Sequence, residues 1–149
     1  MRRKLAGNEG FSLLEVLISL SILAVGLLAL ALFQVTAIKG NSIASKWTAA
    51  TQLTQDRLES FRHIPWASIT SSPAAGYNTG TWQPQYANLV ANAGDNNNVL
   101  LGTRYYRVWF VRNDSLTLRT ITVWTCWQDE QSNWHNVMLT TQRVNMGGV

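Results

Sequence analysis

Glu15 is the side chain whose position calls for a chemical explanation. It stands directly before residues 16–33, eighteen residues without a charge, interrupted only by Ser19, Ser21 and Gly26. An ionised carboxylate at the centre of a bilayer costs about 3 kcal/mol even on lenient insertion scales. An acid at the start of such a run therefore needs a counter-charge, and the candidate is an amine at the start of the same segment.

No other constellation in the sequence competes with it. His63 and His135 have no acid at a catalytic spacing, and the sequence holds no Gly-rich phosphate loop, metal-ligand cluster or nucleophile elbow. Ser12 reads as a helix cap or a small packing residue. Asp56 and Glu59 share a helix face at three-residue spacing, as solvated acids commonly do. Cys126 is the one cysteine, so no intramolecular disulfide can form; it reads as a small core residue in a strand. Asp95 ahead of three asparagines supplies too little charge for calcium. Neither enzymatic activity nor a cofactor nor a metal is expected. Arg104, Arg107, Arg112 and Arg119 stand among aromatics, a mixture that can bind nucleic acid. Asp114, Asp129 and Glu130 dilute that charge, and direct nucleic-acid binding is not expected.

The element that carries Glu15 is a helix. Roughly 20 apolar residues at about 1.5 Å each cross a hydrocarbon core, so residues 11–33 read as a membrane-spanning stretch. Arg2, Arg3 and Lys4 precede it and hold that end in the cytoplasm by the positive-inside rule. The remainder then lies on the far side of the membrane. These leader residues also supply much of the +4 formal charge; beyond residue 10 the chain has nine basic and seven acidic residues. The high isoelectric point is thus mainly a targeting feature.

Gly10-Phe11-Ser12-Leu13-Leu14-Glu15-Val16 behind a short basic leader resembles the class III signal of type IV pilins and type II secretion pseudopilins. The resemblance implies that a prepilin peptidase cuts after Gly10 and that the new terminus, Phe11, is N-methylated. Residues 1–10 would be the cleaved leader. Glycine suits the cut because the backbone can approach the peptidase without a Cβ in the way. Glu15 would pair with the Phe11 amine of an adjacent subunit, which fixes axial register even where the net stability gained is small. Methylation keeps the charge of that amine and removes donors. Two plainer readings stay open: a secretory signal cut near Ala29-Leu30-Ala31, and a simple single-span anchor.

The helix is expected to run on to residue 63. Over 34–63 apolar residues recur at Ile43, Trp47, Ala50, Leu53, Leu58 and Phe61, at intervals of 4, 3, 3, 5 and 3. That is helical spacing with one slip, and an amphipathic face of this kind needs a partner surface. Pro65 ends it, because the residue before a proline avoids the helical region. Gly26, Gly40 and Asn41 are the weak points within it. Residues 64–98 are rich in turn formers and correspond in position to the αβ-loop of pilins, with Trp66, Trp82 and Tyr86 as candidate pins.

From residue 99 the period changes to two. Alternating runs at 103–112, 116–127 and 134–144, separated by two polar turns, read as an antiparallel meander. The run YRVWFV…LRTITVWTCW…HNVMLTTQ is similar to PilV-type minor pilins and to I-type minor pseudopilins. Together these readings give an α+β chain of the pilin fold: a long N-terminal hydrophobic α-helix packed on a small antiparallel β-sheet formed by residues 99–149. The function implied is that of a minor type IV pilin, with a minor pseudopilin of type II secretion as the alternative. The lack of a disulfide pair and of a proline before Pro65 sets the chain apart from major pilins. Implied partners are the prepilin peptidase, other major and minor pilins, the pilus assembly machinery and, before assembly, the inner membrane.

Overall fold

The computed structural model describes residues 12–145. Helix α1 spans Leu13–His63, 51 residues, and passes through Gly26, Gly40 and Asn41 without a break. By rise this is about 75 Å of helix. The chain divides into two units, Met1–Ser42 and Ile43–Val149. In the first, residues 13–42 are helical and every described side chain is exposed. Ser21 and Thr36 return their hydroxyls to the carbonyls of Leu17 and Leu32 at 2.8 and 3.1 Å, so neither polar group is left open within the apolar surface.

The second unit holds the core. The part of α1 within it buries Ala49, Ala50, Thr54 and Phe61, close to the stripe expected from the spacing. Pro65 follows two residues after the helix ends, and the chain turns into a short 3₁₀ segment, Trp66–Ser68. Strands β1 (Tyr77–Asn78) and β2 (Gln83–Pro84) form a small hairpin, followed by helix α2, Tyr86–Asn92. The main sheet has strands β3 (Asp95–Leu100), β4 (Thr103–Asn113), β5 (Leu118–Gln128) and β6 (Trp134–Val144). They lie in chain order and are antiparallel throughout. This is the expected α+β arrangement, a long helix on an antiparallel sheet.

Alternation along the strands divides the core into two faces. Tyr105, Trp109, Ile121, Val123 and Trp127 meet α1, where the small side chains of Ala49 and Ala50 let the helix approach Tyr105 and Trp127. Val108, Trp124 and Cys126 point the other way, under Tyr77 and Leu89 of the connection. The central strand β5 is therefore covered on both sides, and its residues from Thr120 to Trp127 are all buried. One buried polar pair joins helix to sheet. Thr54 Oγ1 donates to Thr125 Oγ1 at 2.7 Å, and both residues are fully buried.

The connection wraps around the β4 side of the sheet. β3 pairs with β4 as far as Arg107. Beyond it, Ser72 N–H donates to the Trp109 carbonyl at 3.0 Å, while the Trp109 and Val111 N–H groups donate to the Ser72 and Ser71 hydroxyls at 2.9 Å. The chain crosses to the second face, forms the hairpin and α2, and returns where Gly94 N–H donates to the Arg107 carbonyl at 2.9 Å. Trp66 packs beneath α1, Trp82 against Phe110 and Tyr86 against Trp134, so the three aromatics pin this segment.

The connection is less irregular than its composition indicates. The sheet begins at Asp95 rather than Val99, and the Asp-Asn run forms most of β3 instead of a solvated loop. Two contacts account for this. Leu101 and Gly102 have φ of 52° and 75°, the two left-handed residues of a tight turn whose twist matches paired strands. Asp95 lies opposite Arg107 in the register and forms an ion pair with it. Backbone pairing and a satisfied carboxylate here outweigh the turn propensity of asparagine.

Candidate functional site

The first turn of α1 carries the residue singled out by sequence. Ser12 precedes the helix and caps it: Glu15 N–H donates to Ser12 Oγ at 3.2 Å and to the Ser12 carbonyl at 3.0 Å. Ser-x-x-Glu is the spacing of a capping box, which presents the acid at the third helical position. A negative charge there also sits favourably against the positive end of the helix dipole. The Glu15 side chain is exposed, and no described residue bonds to or pairs with its carboxylate. Gly10 and Phe11 lie outside the described residues, so of the three predicted site residues the structure places Glu15.

Over residues 16–33 this helix offers an apolar surface interrupted only by Ser19, Ser21 and Gly26. Leu17, Leu20, Leu23, Leu27, Leu30 and Phe33 are all more than half exposed. The helix is long and apolar enough to cross a membrane by length and composition. Aliphatic side chains around the whole circumference belong to a helix surrounded by lipid or by other helices. Glu15 is the one charged side chain among residues 12–33.

The second unit resolves the remaining candidates. Arg107 pairs with Asp95 and donates to the Leu53 carbonyl at 3.0 Å. Arg112 meets Asp114 at 2.6 Å, and Arg119 bonds the Trp66 and Ile69 carbonyls while lying over the Trp66 ring at 4.3 Å. Of the four arginines placed among aromatics, these three are engaged within the domain. Arg57, which the sequence did not single out, lies over the Trp109 ring at 3.9 Å. Burial, and the nearby charge of Arg107, lower its pKa.

Cys126 is fully buried, and burial pushes its thiol pKa well up, so it is a core residue rather than a nucleophile. His135 does have an acid partner, brought to it by the β5–β6 turn. Its Nε2 lies 2.9 Å from Asp129 Oδ2. Asp129 also accepts the Asn133 and Gln131 N–H groups, and its carboxyl is held down at about 2, chiefly by the His135 bond. His135 stacks on Trp127 with ring centroids 5.6 Å apart. Spacing could not reveal this pair, because register across a hairpin sets it. Together these bonds tie the β5–β6 turn to the start of β6, a turn lock. Among the described residues no group of three or more potential ligands could hold a metal. The opening between α1 and β6 is a shallow groove of about 340 Å³ lined by Leu58, Phe61, Ile121 and Arg143.

Residues 5–31 match the family described as "Prokaryotic N-terminal methylation motif". No curated protein and no solved structure matches the chain. The matched stretch contains Gly10, Phe11 and Glu15 and ends inside the apolar part of α1. It is the class III prepilin signal, and it supports a type IV pilin-like protein, pilin or pseudopilin, handled by a prepilin peptidase and anchored by its apolar helix.

Proposed function

We propose that the chain is a minor type IV pilin that takes part in priming or tip formation of the pilus. It is made as a prepilin and cut by hydrolysis of the Gly10–Phe11 bond. The freed Phe11 amine is then methylated. The apolar helix holds the protein in the inner membrane, N-terminus in the cytoplasm and sheet domain exported, until the assembly machinery transfers it into the filament beside other pilins. The observation that carries this reading is the methylation motif over residues 5–31 leading into a helix whose first turn bears Glu15.

In the filament, the Glu15 carboxylate pairs with the methylated Phe11 amine of a neighbouring subunit. Methylation keeps the positive charge, and the pair sets how far one helix slides along the next. A minor role is supported by the single cysteine, which leaves no disulfide to close a C-terminal loop, and by the lack of a proline before Pro65.

The test is Glu15→Ala in the native host. Peptidase processing is expected to stay intact while recovery of the protein in sheared filaments falls at least about tenfold, a factor that corresponds to 1.4 kcal/mol. Normal recovery would remove Glu15 from the mechanism. Deletion of the whole chain is expected to reduce surface pili and leave protein secretion unchanged; loss of secretion with normal pili would assign the chain to a type II secretion pseudopilus instead.

A further inference from the structure

Three consecutive apolar side chains form the tip of the β3–β4 hairpin. Val99 is 58% exposed, Leu100 41% and Leu101 72%. None of them belongs to a hydrophobic cluster of the domain. Leu101 also occupies the first position of the turn, at a φ of 52°. That left-handed conformation disfavours leucine, whereas asparagine or aspartate before glycine adopts it readily. The residue is thus disfavoured by its backbone and by its contact with water. A local violation of this kind points to a partner outside the chain. Leu116 is the contrasting case: it is 95% exposed but stands alone between Ser115 and Thr117 in the β4–β5 turn, and an isolated exposed leucine is ordinary.

The position of the tip selects the partner. Tyr105 pairs with Trp127 in the sheet, and its hydroxyl donates to the Lys46 carbonyl at 3.3 Å. The tip therefore lies at the end of the domain where α1 enters it. Ile43 and Trp47 are exposed at that same end, while the Leu116 turn lies at the opposite end of β4 and β5. Nine residues separate Phe33 from Ile43, so even a fully extended chain would tether this end within about 35 Å of the apolar run. Charges at this end are mixed: Arg104 is exposed, and the Lys46–Glu130 and His135–Asp129 pairs bring both signs. Recognition at this end is accordingly apolar rather than electrostatic.

We infer that, before assembly, Leu100 and Leu101 insert into the headgroup–acyl boundary of the bilayer that holds the apolar helix. The hairpin tip is then a second, shallow membrane attachment. Apolar side chains projecting from a folded surface bind this boundary in proportion to the area they bury, and tryptophan favours the same layer. The inference rests on the reading that the apolar helix is membrane-anchored.

The experiment uses the full chain in phosphatidylethanolamine/phosphatidylglycerol vesicles. A polarity-sensitive fluorophore is attached to Leu101→Cys, Leu116→Cys or Leu27→Cys in separate samples, and a quencher is carried on shallow lipid positions. Buried Cys126 stays unlabelled, which the unmodified chain verifies. The expected result is a blue shift and loss of emission at 101 and at 27, and neither at 116. Quenching at 27 without quenching at 101 overturns the tip inference and leaves the anchor standing. A blue shift at 101 without lipid quenching means that the tip is buried against protein, and also overturns it. Absence of quenching at 27 refutes the anchor, and the tip inference falls with it.

Discussion

Gly94→Ala is expected to destabilise the domain by about 3 kcal/mol, at the upper end of the range for overpacking, because the added methyl group would press on the buried Trp109 ring. A Cβ at this position would come 2.3 and 2.4 Å from Cη2 and Cζ3 of Trp109 and 2.8 Å from Cβ of Ser72. Contacts that short require either the indole or the strand to shift, and both are held. The Trp109 Nε1–H donates to the Thr70 carbonyl at 2.9 Å, Arg57 lies over the ring at 3.9 Å, and Phe61 meets it edge-on at 6.0 Å. Gly94 is itself fixed by its bond to the Arg107 carbonyl. Urea unfolding of the full chain in detergent, followed by tryptophan fluorescence, measures the loss. Trp109→Phe removes the outer edge of the indole, so in that background the same alanine should cost no more than about 1 kcal/mol, a coupling of about 2 kcal/mol. A Gly94→Ala chain within about 0.5 kcal/mol of the parent, or an equal cost in both backgrounds, would refute the close approach of connection and sheet.

Three further outcomes follow from the same structure. Thr54→Val leaves the Thr125 hydroxyl without its partner in a fully buried position and should cost about 1–3 kcal/mol, most of which Thr125→Val should recover in the double variant; urea midpoints of the three chains decide it. Leu101→Asn places a residue suited to positive φ in the β3–β4 turn and should raise stability by about 1 kcal/mol, whereas a fall would contradict the turn assignment. The Asp129 carboxyl, held at about 2 from an ordinary 3.8 mainly by His135, contributes stability that is present above its unfolded pKa and lost as pH falls from about 4 towards 2. Asp129→Asn should flatten thermal stability across that window, and an unchanged acid profile would dismiss the turn lock.

The parts of the fold that sequence exposes are those governed by periodicity and by proline. The uncharged run, the apolar recurrence to Phe61 and the stop at Pro65 delimit α1, which ends at His63. Strict alternation locates β4, β5 and β6 to within a few residues. What escapes is whatever depends on partners distant in sequence. β3 is hidden because asparagines mark turns in isolation, and only pairing with β4 and the Asp95–Arg107 contact make them a strand. Alternation in β5 shows two faces but not that both are covered; the second is closed by Tyr77 and Leu89 from the connection. Arg57 gave no signal because its partner ring is fifty-two positions away, at Trp109. The proposed processing site is legible for the opposite reason. A peptidase reads a linear stretch, so Gly10, Phe11 and Glu15 are recognisable together in the sequence that matches the methylation motif.

The central claim is that the mature chain starts at a modified Phe11 and that Glu15 exists to meet that terminus. The measurement that tests it most directly is mass spectrometry of the N-terminus of the native protein, from cells with and without the prepilin peptidase. The account predicts N-methylated Phe11 in the first case and residues 1–10 still joined to Phe11 in the second. An intact Met1 terminus in both, or a cut near Ala31, would contradict it and leave Glu15 without its partner.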